Sequence, residues 1–521
     1  MKKILLLLAL AANIIPTAAQ SESDMEQALR KLYMATVMTT MRYVDSVDAN
    51  SLVENAIRGM LDKLDPHSTY TNKKETHAFQ ESMQGSFEGI GVQFNILEDT
   101  LLVVQTVSKG PSEKVGIVAG DRIISVNDTS IAGVKMKQEE IISRLRGPKN
   151  SKVKLGVKRQ GIKETIFFNV TRDKIPLHTL DAAFMLTPSI GLIRFGSFGQ
   201  TTHQEVMEAI HKLKAQGMQD LVLDLQQNGG GLLNIAADIA SELLPKGDTI
   251  VYTKGRAVPS QMFVSEGRGG FQGRLAILID EYSASASEIL AGAIQDNDRG
   301  ILVGRRSFGK GLVQIPINLP DQSMIKLTVS RYYTPSGRSI QKHYTKGDNL
   351  SYARDAIDRY NRGELTHADS IHFPDSLRYQ TRKQGRTVYG GGGIMPDYFV
   401  PLDTTRYTPA YRHISARGII LQSNLRYLDK NRKKLEKQWT DFNLFRSQYQ
   451  TPDEVVENIL KEAQDKKIPL GSESERKQTK EQLAHILKAL CARDLWDISE
   501  YFAILYANDP VVQKAVELLQ P

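Results

Sequence analysis

The stretch RLAILIDEYSASASEILAGAIQD, residues 274–296, has the pattern of a buried strand, a turn of small residues and a helix. Its apolar run ends at Asp280, as in a buried strand, and apolar residues at helical spacing follow from about Ser287. Residues 283–286 therefore form a strand-to-helix turn of alternating serine and alanine. Because N–H groups at a helix start attract negative charge, a serine here can be a nucleophile. Taken alone, however, the turn favours a serine that caps the helix.

Apolar runs that alternate with helical segments flank this stretch. They are IGLIRF, DLVLDL and GILVGRR, at residues 190–195, 220–225 and 300–306. This alternation is typical of a mainly parallel sheet that is buried on both faces. The sequence therefore predicts an α/β core over residues 173–410. Within that core, the polar residues 345–390 are predicted to be an insertion or a mobile loop.

A nucleophilic serine needs a base, and the sequence offers two kinds. Ten histidines are present, and a Ser-His-Asp triad with His67 or His203 stays open because triads assemble from distant segments. A lysine serves as the base only where burial keeps it neutral. Lys310, in SFGKGLVQI, lies between two glycines just after the strand that follows the serine's helix. The competing interpretation of Lys310 is a solvated lysine in a glycine turn.

The segment DLQQNGGGLL, residues 224–233, follows another predicted strand of the same sheet. Glycines let backbone N–H groups approach a substrate carbonyl closely, so this loop predicts part of an oxyanion hole. A phosphate-binding loop is the alternative, but the segment lacks both of the common glycine-rich phosphate patterns.

Seven motifs follow one another along the chain, and each of them alone is weak evidence. They are LDPHSTY, FEGIGVQF, DLQQNGGGLL, YSASASEI, SFGKGLVQ, YYTPSGRSIQ and GIMPD. In this order they resemble the carboxyl-terminal processing peptidases, also called tail-specific proteases, over about residues 25–400. The resemblance implies a crotonase/ClpP-like αβ protease core with an inserted PDZ-like domain, an N-terminal helical segment and a C-terminal helical domain.

The resemblance also assigns roles to side chains. It implies that Ser285 is the nucleophile and Lys310 the general base of a serine endopeptidase. Gln314 matches the family glutamine that holds the lysine amine by a hydrogen bond. Glu288 matches a family glutamate, for which we expect a supporting role in the geometry of the site.

The oxyanion hole implied by the resemblance consists of the amide of Ala286 and that of Gly230 or Gly231. The chain departs from the family at Gln226, where Asp-Leu-Arg is usual and Asp-Leu-Gln is present. That departure affects any contact that depends on the arginine, but it leaves the Ser-Lys pair intact. No metal or cofactor is expected for this chemistry.

Residues 84–172 resemble a PDZ domain, which in this family recognises substrate tails. A peptide would add a strand to the edge of its sheet, and backbone N–H groups would hold the terminal carboxylate. The alternative is that the same side chains only fill the core of the module. The expected peptide-binding residues are Gly89, Ile90, Gly91, Val92 and Phe94.

The first twenty residues, MKKILLLLALAANIIPTAAQ, contain two lysines, an apolar run and a small-residue end. This pattern predicts a signal peptide over residues 1–19 and export to the periplasm, where association with the inner membrane stays open. A helical N-terminal region over residues 24–75 and a helical C-terminal domain over residues 411–521 complete the predicted organisation.

Composition narrows the partners of the protein. The net charge is +8 with 24% charged residues and no long basic block, so no nucleic-acid partner is expected. Cys491 is the single cysteine, which excludes an internal disulfide and favours a buried structural role. We expect protein or peptide substrates with exposed C-terminal tails, and peripheral membrane association and a homo-oligomer both stay open. The alternative functions are a catalytically idle PDZ scaffold and a crotonase-like acyl-CoA enzyme.

Overall fold

The computed structural model describes residues 15–520, with the backbone alone for residues 15–22. Residues 1–14 of the predicted signal peptide thus lie outside the described residues. The chain divides into two compact units, and the smaller contains residues up to Thr76 with Gln314–Thr328 and Tyr344–Ala353. No helix within residues 15–520 is both long enough and apolar enough to span a bilayer.

In the smaller unit, two helices precede a short strand. The helices are α1 (Ile15–Arg42) and α2 (Ala49–Leu61), and the strand is β1 (Thr69–Thr71). Helix α2 begins after Asp48, whose side chain accepts the N–H of Ser51 as an N-cap. Strand β1 pairs antiparallel with residues 324–326.

The PDZ-like module belongs to the larger unit. Its sheet has the order β3-β4-β5-β7-β8, with β6 paired to β5, so β3 is an edge strand. Its core consists of buried aliphatic side chains such as Leu101, Val103 and Leu155. The elements of this region are α3 (Lys73–Gln84), β2 (Ser86–Gly89), β3 (Val92–Leu97), β4 (Thr100–Thr106), α4 (Pro111–Lys114), β5 (Arg122–Val126), β6 (Thr129–Ser130), α5 (Gln138–Leu145), β7 (Lys152–Lys158) and β8 (Ile166–Thr171).

The core of the larger unit is a six-stranded sheet with the order β10-β11-β12-β15-β16-β21. All neighbouring pairs are parallel except β10 with β11, which confirms the predicted mainly parallel sheet. The elements of this region, with the connecting helices and further strands, are β9 (Asp173–Pro176), β10 (Leu180–Met185), β11 (Ile190–Phe195), α6 (Thr202–Ala215), β12 (Asp220–Asp224), α7 (Leu233–Leu243), β13 (Thr249–Gly255), β14 (Gln261–Val264), β15 (Leu275–Ile279), α8 (Ala286–Asp296), β16 (Ile301–Gly304), β17 (Leu312–Asn318), β18 (Met324–Tyr333), α9 (Asn349–Asn361), β19 (Arg378–Gln380), β20 (Thr387–Tyr389) and β21 (Tyr398–Phe399). Of these, β17, β18 and α9 each have residues in both units.

Residues 345–390 contain more regular structure than the expected insertion or mobile loop. The segment includes helix α9 and the antiparallel pair of β19 with β20. Helix α9 is mostly polar, so it shows little apolar periodicity. The side chain of Arg359 on this helix is nevertheless buried. A buried charged side chain gives no hydrophobic signal in the sequence.

The C-terminal residues form seven helices in the described part of the chain. They are α10 (Pro409–Ala416), α11 (Ile419–Gln438), α12 (Phe442–Gln448), α13 (Asp453–Asp465), α14 (Glu473–Leu495), α15 (Ile498–Leu505) and α16 (Pro510–Leu519). Leu483, Leu487 and Leu490 recur at helical spacing in the sequence and are buried in a shared apolar cluster.

Both faces of the six-stranded sheet are covered. On one face, apolar side chains of α6, α7 and α8 pack against strand residues such as Ile193 and Ile277. On the other, Val512 and Ala515 of α16 pack against Val222 and Leu278. Burial on both faces explains why these strands are continuous apolar runs in the sequence.

Candidate active site

The serine turn, residues 283–288, joins strand β15 to helix α8. Ser285 is the N-cap residue of α8 and has φ 57° and ψ −115°, a conformation that L-residues rarely adopt. Such backbone strain costs about 1–3 kcal/mol and clusters at functional sites. The nucleophile and helix-cap interpretations of this turn thus apply to the same residue.

The three serines of the turn have different environments. The hydroxyl of Ser283 donates to the carbonyl of Leu225 at 2.7 Å, and that of Ser287 donates to the carbonyl of Asn228 at 2.8 Å. Both side chains are fully buried, whereas Ser285 is partly exposed. Ser283 and Ser287 therefore hold the turn against the neighbouring strand end, and Ser285 is the serine of the turn that keeps partial exposure.

The buried carboxylate of Glu288 joins the serine turn to the lysine loop, residues 307–311. Its Oε2 accepts the N–H of Ser285 at 2.9 Å and the N–H of Lys310 at 2.8 Å. Its Oε1 accepts the hydroxyl of Ser307 at 2.5 Å and the N–H of Gly309 at 2.7 Å. One oxygen atom thus binds the backbones of both residues of the predicted dyad.

Electrostatics at Glu288 follow from its complete burial. Burial raises the pKa of Glu288 to about 7, while the hydrogen bonds from Ser307, Lys310, Gly309 and Ser285 act in the opposite direction. The carboxyl group therefore changes its charge near neutral pH, at the point where the two segments meet.

A second contact joins the same two residues through their carbonyl groups. The hydroxyl of Tyr332 lies 3.2 Å from the carbonyl oxygen of Ser285 and 2.5 Å from that of Lys310. The tyrosine is almost fully buried at the end of β18. The positions of the two backbones are thus set relative to each other by a carboxylate and by a phenol.

The lysine loop is also held from its other side. The hydroxyl of Ser307 accepts the N–H of Ile394, from the GIMPD motif, at 2.6 Å. The buried guanidinium of Arg359 donates to the carbonyls of Ser307, at 3.0 Å, and Arg306, at 2.6 Å. Segments distant in sequence therefore fix the loop that carries Lys310.

The glycine loop after β12 lies directly against the serine turn. A Cβ added at Gly230 would lie 2.7 Å from the Cβ of Ser285 and 2.9 Å from the nitrogen of Ala286, so only glycine fits. The N–H of Gly230 donates to Oδ1 of Asn228 at 2.9 Å. Within residues 15–520, the N–H groups of Gly231 and Ala286 have no acceptor.

Gln314 belongs to the smaller unit, where it takes part in a chain of hydrogen bonds. Its Nε2 donates to the hydroxyl of Thr328 at 3.0 Å, and that hydroxyl donates to Oδ1 of Asp65 at 2.9 Å. The other carboxylate oxygen of Asp65 accepts the hydroxyl of Ser68 at 2.6 Å. The LDPHSTY motif therefore supports the strand that carries Gln314. The expected hydrogen bond from Gln314 to the amine of Lys310 stays a prediction.

The departure from the family at Gln226 lies next to a buried ionic network. Oδ2 of Asp224 accepts from Arg194 at 2.7 Å and from the hydroxyl of Tyr506 at 2.5 Å. The N–H of Gln226 donates to the other oxygen of Asp224 at 2.8 Å. An arginine from strand β11 therefore compensates the charge of this aspartate.

The expected peptide-binding residues form one continuous segment of the PDZ-like module. Gly89 pairs with Asp173 at the end of β2, and Ile90 is buried. The carbonyl of Gly91 accepts the N–H of Val107 at 3.0 Å, just before edge strand β3. Strand β3 carries the remaining two, Val92 and Phe94, which are partly buried.

Several residues that shape the site were not singled out from the sequence. Tyr332 and Ser307 lie inside two of the recognised motifs, so position within a motif was the available signal. Asn228 precedes the glycine run and accepts the N–H of Gly230. Arg359 gave no sequence signal, because its role depends on the burial of one charged side chain on a largely exposed helix.

Family models match four parts of the chain. Peptidase family S41 matches residues 189–350, a PDZ domain matches 89–170, and the N-terminal domain of the activating protease CtpB matches 9–76. Residues 410–497 match a family of unknown function. The first two matches, with the sheet and helices above, confirm the predicted fold class.

Curated relatives match more than half of this chain. The carboxy-terminal processing protease CtpB of Bacillus subtilis is 33% identical over 354 residues, which cover 67% of this chain and 73% of that protein. The carboxyl-terminal-processing protease of Synechocystis is 36% identical over 293 residues, 55% of this chain and 68% of that protein. A solved photosystem II D1 C-terminal processing protease is 25% identical, with a TM-score of 0.35, over 70% of this chain and 85% of that chain.

Proposed function

Because this chain belongs to the carboxy-terminal processing proteases of peptidase family S41, we propose that it cleaves proteins near their C-terminal tails with a Ser285–Lys310 dyad. The observation that carries the proposal is the shared oxygen of Glu288, which accepts the backbone N–H groups of both residues. This contact supports the proposal because it links the backbones of two residues 25 positions apart in the sequence. Ser285 is also the one serine of the serine turn that is partly exposed.

The reaction begins with proton transfer from the hydroxyl of Ser285 to the neutral amine of Lys310. The serine oxygen then attacks the peptide carbonyl, and the lysine returns the proton to the leaving amine. Water, deprotonated by the same lysine, hydrolyses the acyl-enzyme and releases the carboxylate product. The strained backbone of Ser285 holds its side chain at the start of helix α8, where N–H groups stabilise developing negative charge.

The tetrahedral oxyanion is held by backbone amides. The N–H groups of Ala286 and Gly231 are the favoured donors, since both have no acceptor within residues 15–520 and the N–H of Gly230 is bound to Asn228. Gly230 contributes by permitting the close approach of its loop to Ser285. Loss of one oxyanion donor typically lowers kcat by roughly 10²–10³-fold.

Tail recognition belongs to the PDZ domain. The substrate's last residues add a strand to the free edge of β3, and the amides near Ile90, Gly91 and Val92 hold its terminal carboxylate. The N-terminal pattern of lysines and apolar residues directs export, so the substrates are proteins of the periplasm.

Proteolysis of a tailed substrate tests this function. Purified wild type, Ser285→Ala and Lys310→Ala are compared on a folded reporter with an apolar C-terminal extension and on the same reporter without it. Exposed Ser474→Ala and Lys437→Ala serve as matched controls. We expect cleavage of the tailed reporter by wild type and both controls, and none by the two dyad variants. Tail binding without turnover by wild type would instead indicate a PDZ scaffold.

A further inference from the structure

The edge of strand β3 that faces away from β4 is contacted by the C-terminal helical domain. In the antiparallel pairing of β3 with β4, alternate residues of β3 point their backbone groups away from β4. The outward residues are Val92, Phe94 and Ile96. Nε2 of Gln422, on helix α11, donates to the carbonyl of Ile96 at 3.1 Å. One of the acceptors along the edge is therefore already bound.

Other contacts fix helix α11 in this position. Arg122 of β5 forms an ion pair with Asp429 of α11 at 2.9 Å. Leu425 of α11 is buried in an apolar cluster with Leu97, Leu102 and Val104 of the PDZ domain. Gln422 is thus held at the edge strand by an ionic and an apolar contact on its own helix.

A second helix holds the other end of the same strand pair. The side-chain amide of Gln105, on β4, donates to the carbonyl of Trp496 at 2.5 Å, and Trp496 directly follows helix α14. The position of Gln422 is therefore a property of the packed domains and not of one flexible side chain.

We propose that Gln422 ends the peptide-binding edge, so that the PDZ domain pairs with only about the last four residues of a substrate tail. The inference rests on the proposed tail recognition. With its carboxylate near Gly91, a tail runs antiparallel to β3, and its last residue lies beside Val92. The third residue from the end pairs with Phe94, and the fifth would pair with Ile96. Gln422 occupies the position from which the N–H of that fifth residue would reach the Ile96 carbonyl.

The consequence is a division of the tail into two parts. The last residues are selected by main-chain pairing and by side-chain contacts on β3. Residues further upstream turn away from the edge strand, which leaves them available to the protease core of the same chain. Gln422 is thus a specificity-determining residue, and it is supplied by residues 410–497, which match a family of unknown function.

The dependence of affinity on peptide length tests the proposal. Fluorescence anisotropy is measured with the full chain carrying Ser285→Ala, which prevents cleavage. The probes are labelled peptides of four, six and eight Ala and Val residues with a free C-terminal carboxylate. Gln422→Ala is compared with Gln438→Ala, an exposed glutamine on the same helix. In the parent chain, which carries Ser285→Ala and retains Gln422, we expect the six-residue and four-residue peptides to bind equally.

In Gln422→Ala, the freed carbonyl should make the six-residue peptide bind roughly 2–12-fold more tightly than the four-residue peptide, as expected for one added hydrogen bond. The same length dependence with and without Gln422 would overturn the proposal. An equal loss of affinity for all peptides in Gln422→Ala would also overturn it, since that result indicates only a structural contact. Binding of no peptide by the parent chain would overturn the tail recognition itself, and the length limit with it.

Discussion

The serine turn and the lysine loop contribute to the same site but are positioned in different ways. Ser285 is held by its own strand and helix, and the neighbouring Ser283 and Ser287 are bonded to adjacent backbone. Lys310 instead lies in a loop whose hydrogen bonds come from Glu288 and, through Ser307, from Ile394. The serine turn is thus fixed against the end of one neighbouring strand, β12, whereas the lysine loop is held by several separate segments of the chain.

This difference predicts that most substitutions away from the dyad will impair proton transfer through the lysine loop and leave the serine turn folded. The largest effect is expected for the base itself. Lys310→Met removes the proton acceptor, and kcat/KM should fall by roughly 10²–10⁴-fold with little change in the thermal unfolding midpoint. Steady-state cleavage of a tailed peptide measures this, and retention of most activity would show that another group is the base.

Glu288→Gln should have the next largest effect, because it weakens the tie between the two segments. A glutamine amide nitrogen cannot accept the hydrogen bonds that one carboxylate oxygen accepts, so kcat/KM should fall about 10–100-fold, the equivalent of one charged hydrogen bond. Glu208→Gln, exposed on helix α6, is the control and should match wild type. Equal activity of both variants would contradict a positioning role for Glu288.

The same carboxyl group predicts opposite pH trends for activity and stability. Since the folded-state pKa of Glu288 is raised to about 7 from 4.5, its contribution to stability is complete below pH 4.5 and is lost as pH rises through 7. Activity should instead rise over pH 6–8 as the carboxylate forms. Urea unfolding measured from pH 4.5 to 7 and kcat/KM measured from pH 6 to 8 should lose these components in Glu288→Gln. An unchanged profile in the variant would exclude Glu288 as the titrating group.

Arg359→Met tests the support of the lysine loop from helix α9. Loss of two hydrogen bonds to buried carbonyls should lower the free energy of unfolding by about 1.5–3 kcal/mol and kcat/KM by roughly tenfold. The exposed Arg354→Met on the same helix should be neutral. A loss of stability without any change in kcat would show that α9 supports the fold and not the base.

The smallest effect is expected for Tyr332→Phe. The hydroxyl makes neutral hydrogen bonds to the carbonyls of Ser285 and Lys310, worth about 0.5–1.5 kcal/mol, so kcat/KM should fall roughly 2–12-fold with KM unchanged. A rise in KM at constant kcat would place Tyr332 in substrate binding instead.

The serine turn and the lysine loop also differ in how well the sequence predicts them. Apolar runs ending at Leu225 and Asp280 indicated the strands and the turns that follow them, because buried parallel strands have this pattern. The serine turn could therefore be located from residues 274–296 alone. Choosing Ser285 among three serines, however, required the resemblance to a family.

The contacts to the lysine loop could not be predicted in the same way. Tyr332, Ser307 and Arg359 each act through two hydrogen bonds to atoms that are distant in sequence, and such contacts produce no periodicity. The pairing of Gln422 with edge strand β3 likewise depends on how two domains pack. Hydrophobic patterns predict elements and layers, and they carry no information on which polar atoms meet.

Covalent labelling of the nucleophile tests directly whether Lys310 activates Ser285. The full chain and its Lys310→Met variant are treated with a fluorophosphonate, and the modified peptide is mapped by mass spectrometry. We expect one adduct, on Ser285, that forms in the wild type and is absent from the variant. An adduct on another residue, or equally fast labelling of Ser285 in Lys310→Met, would contradict it.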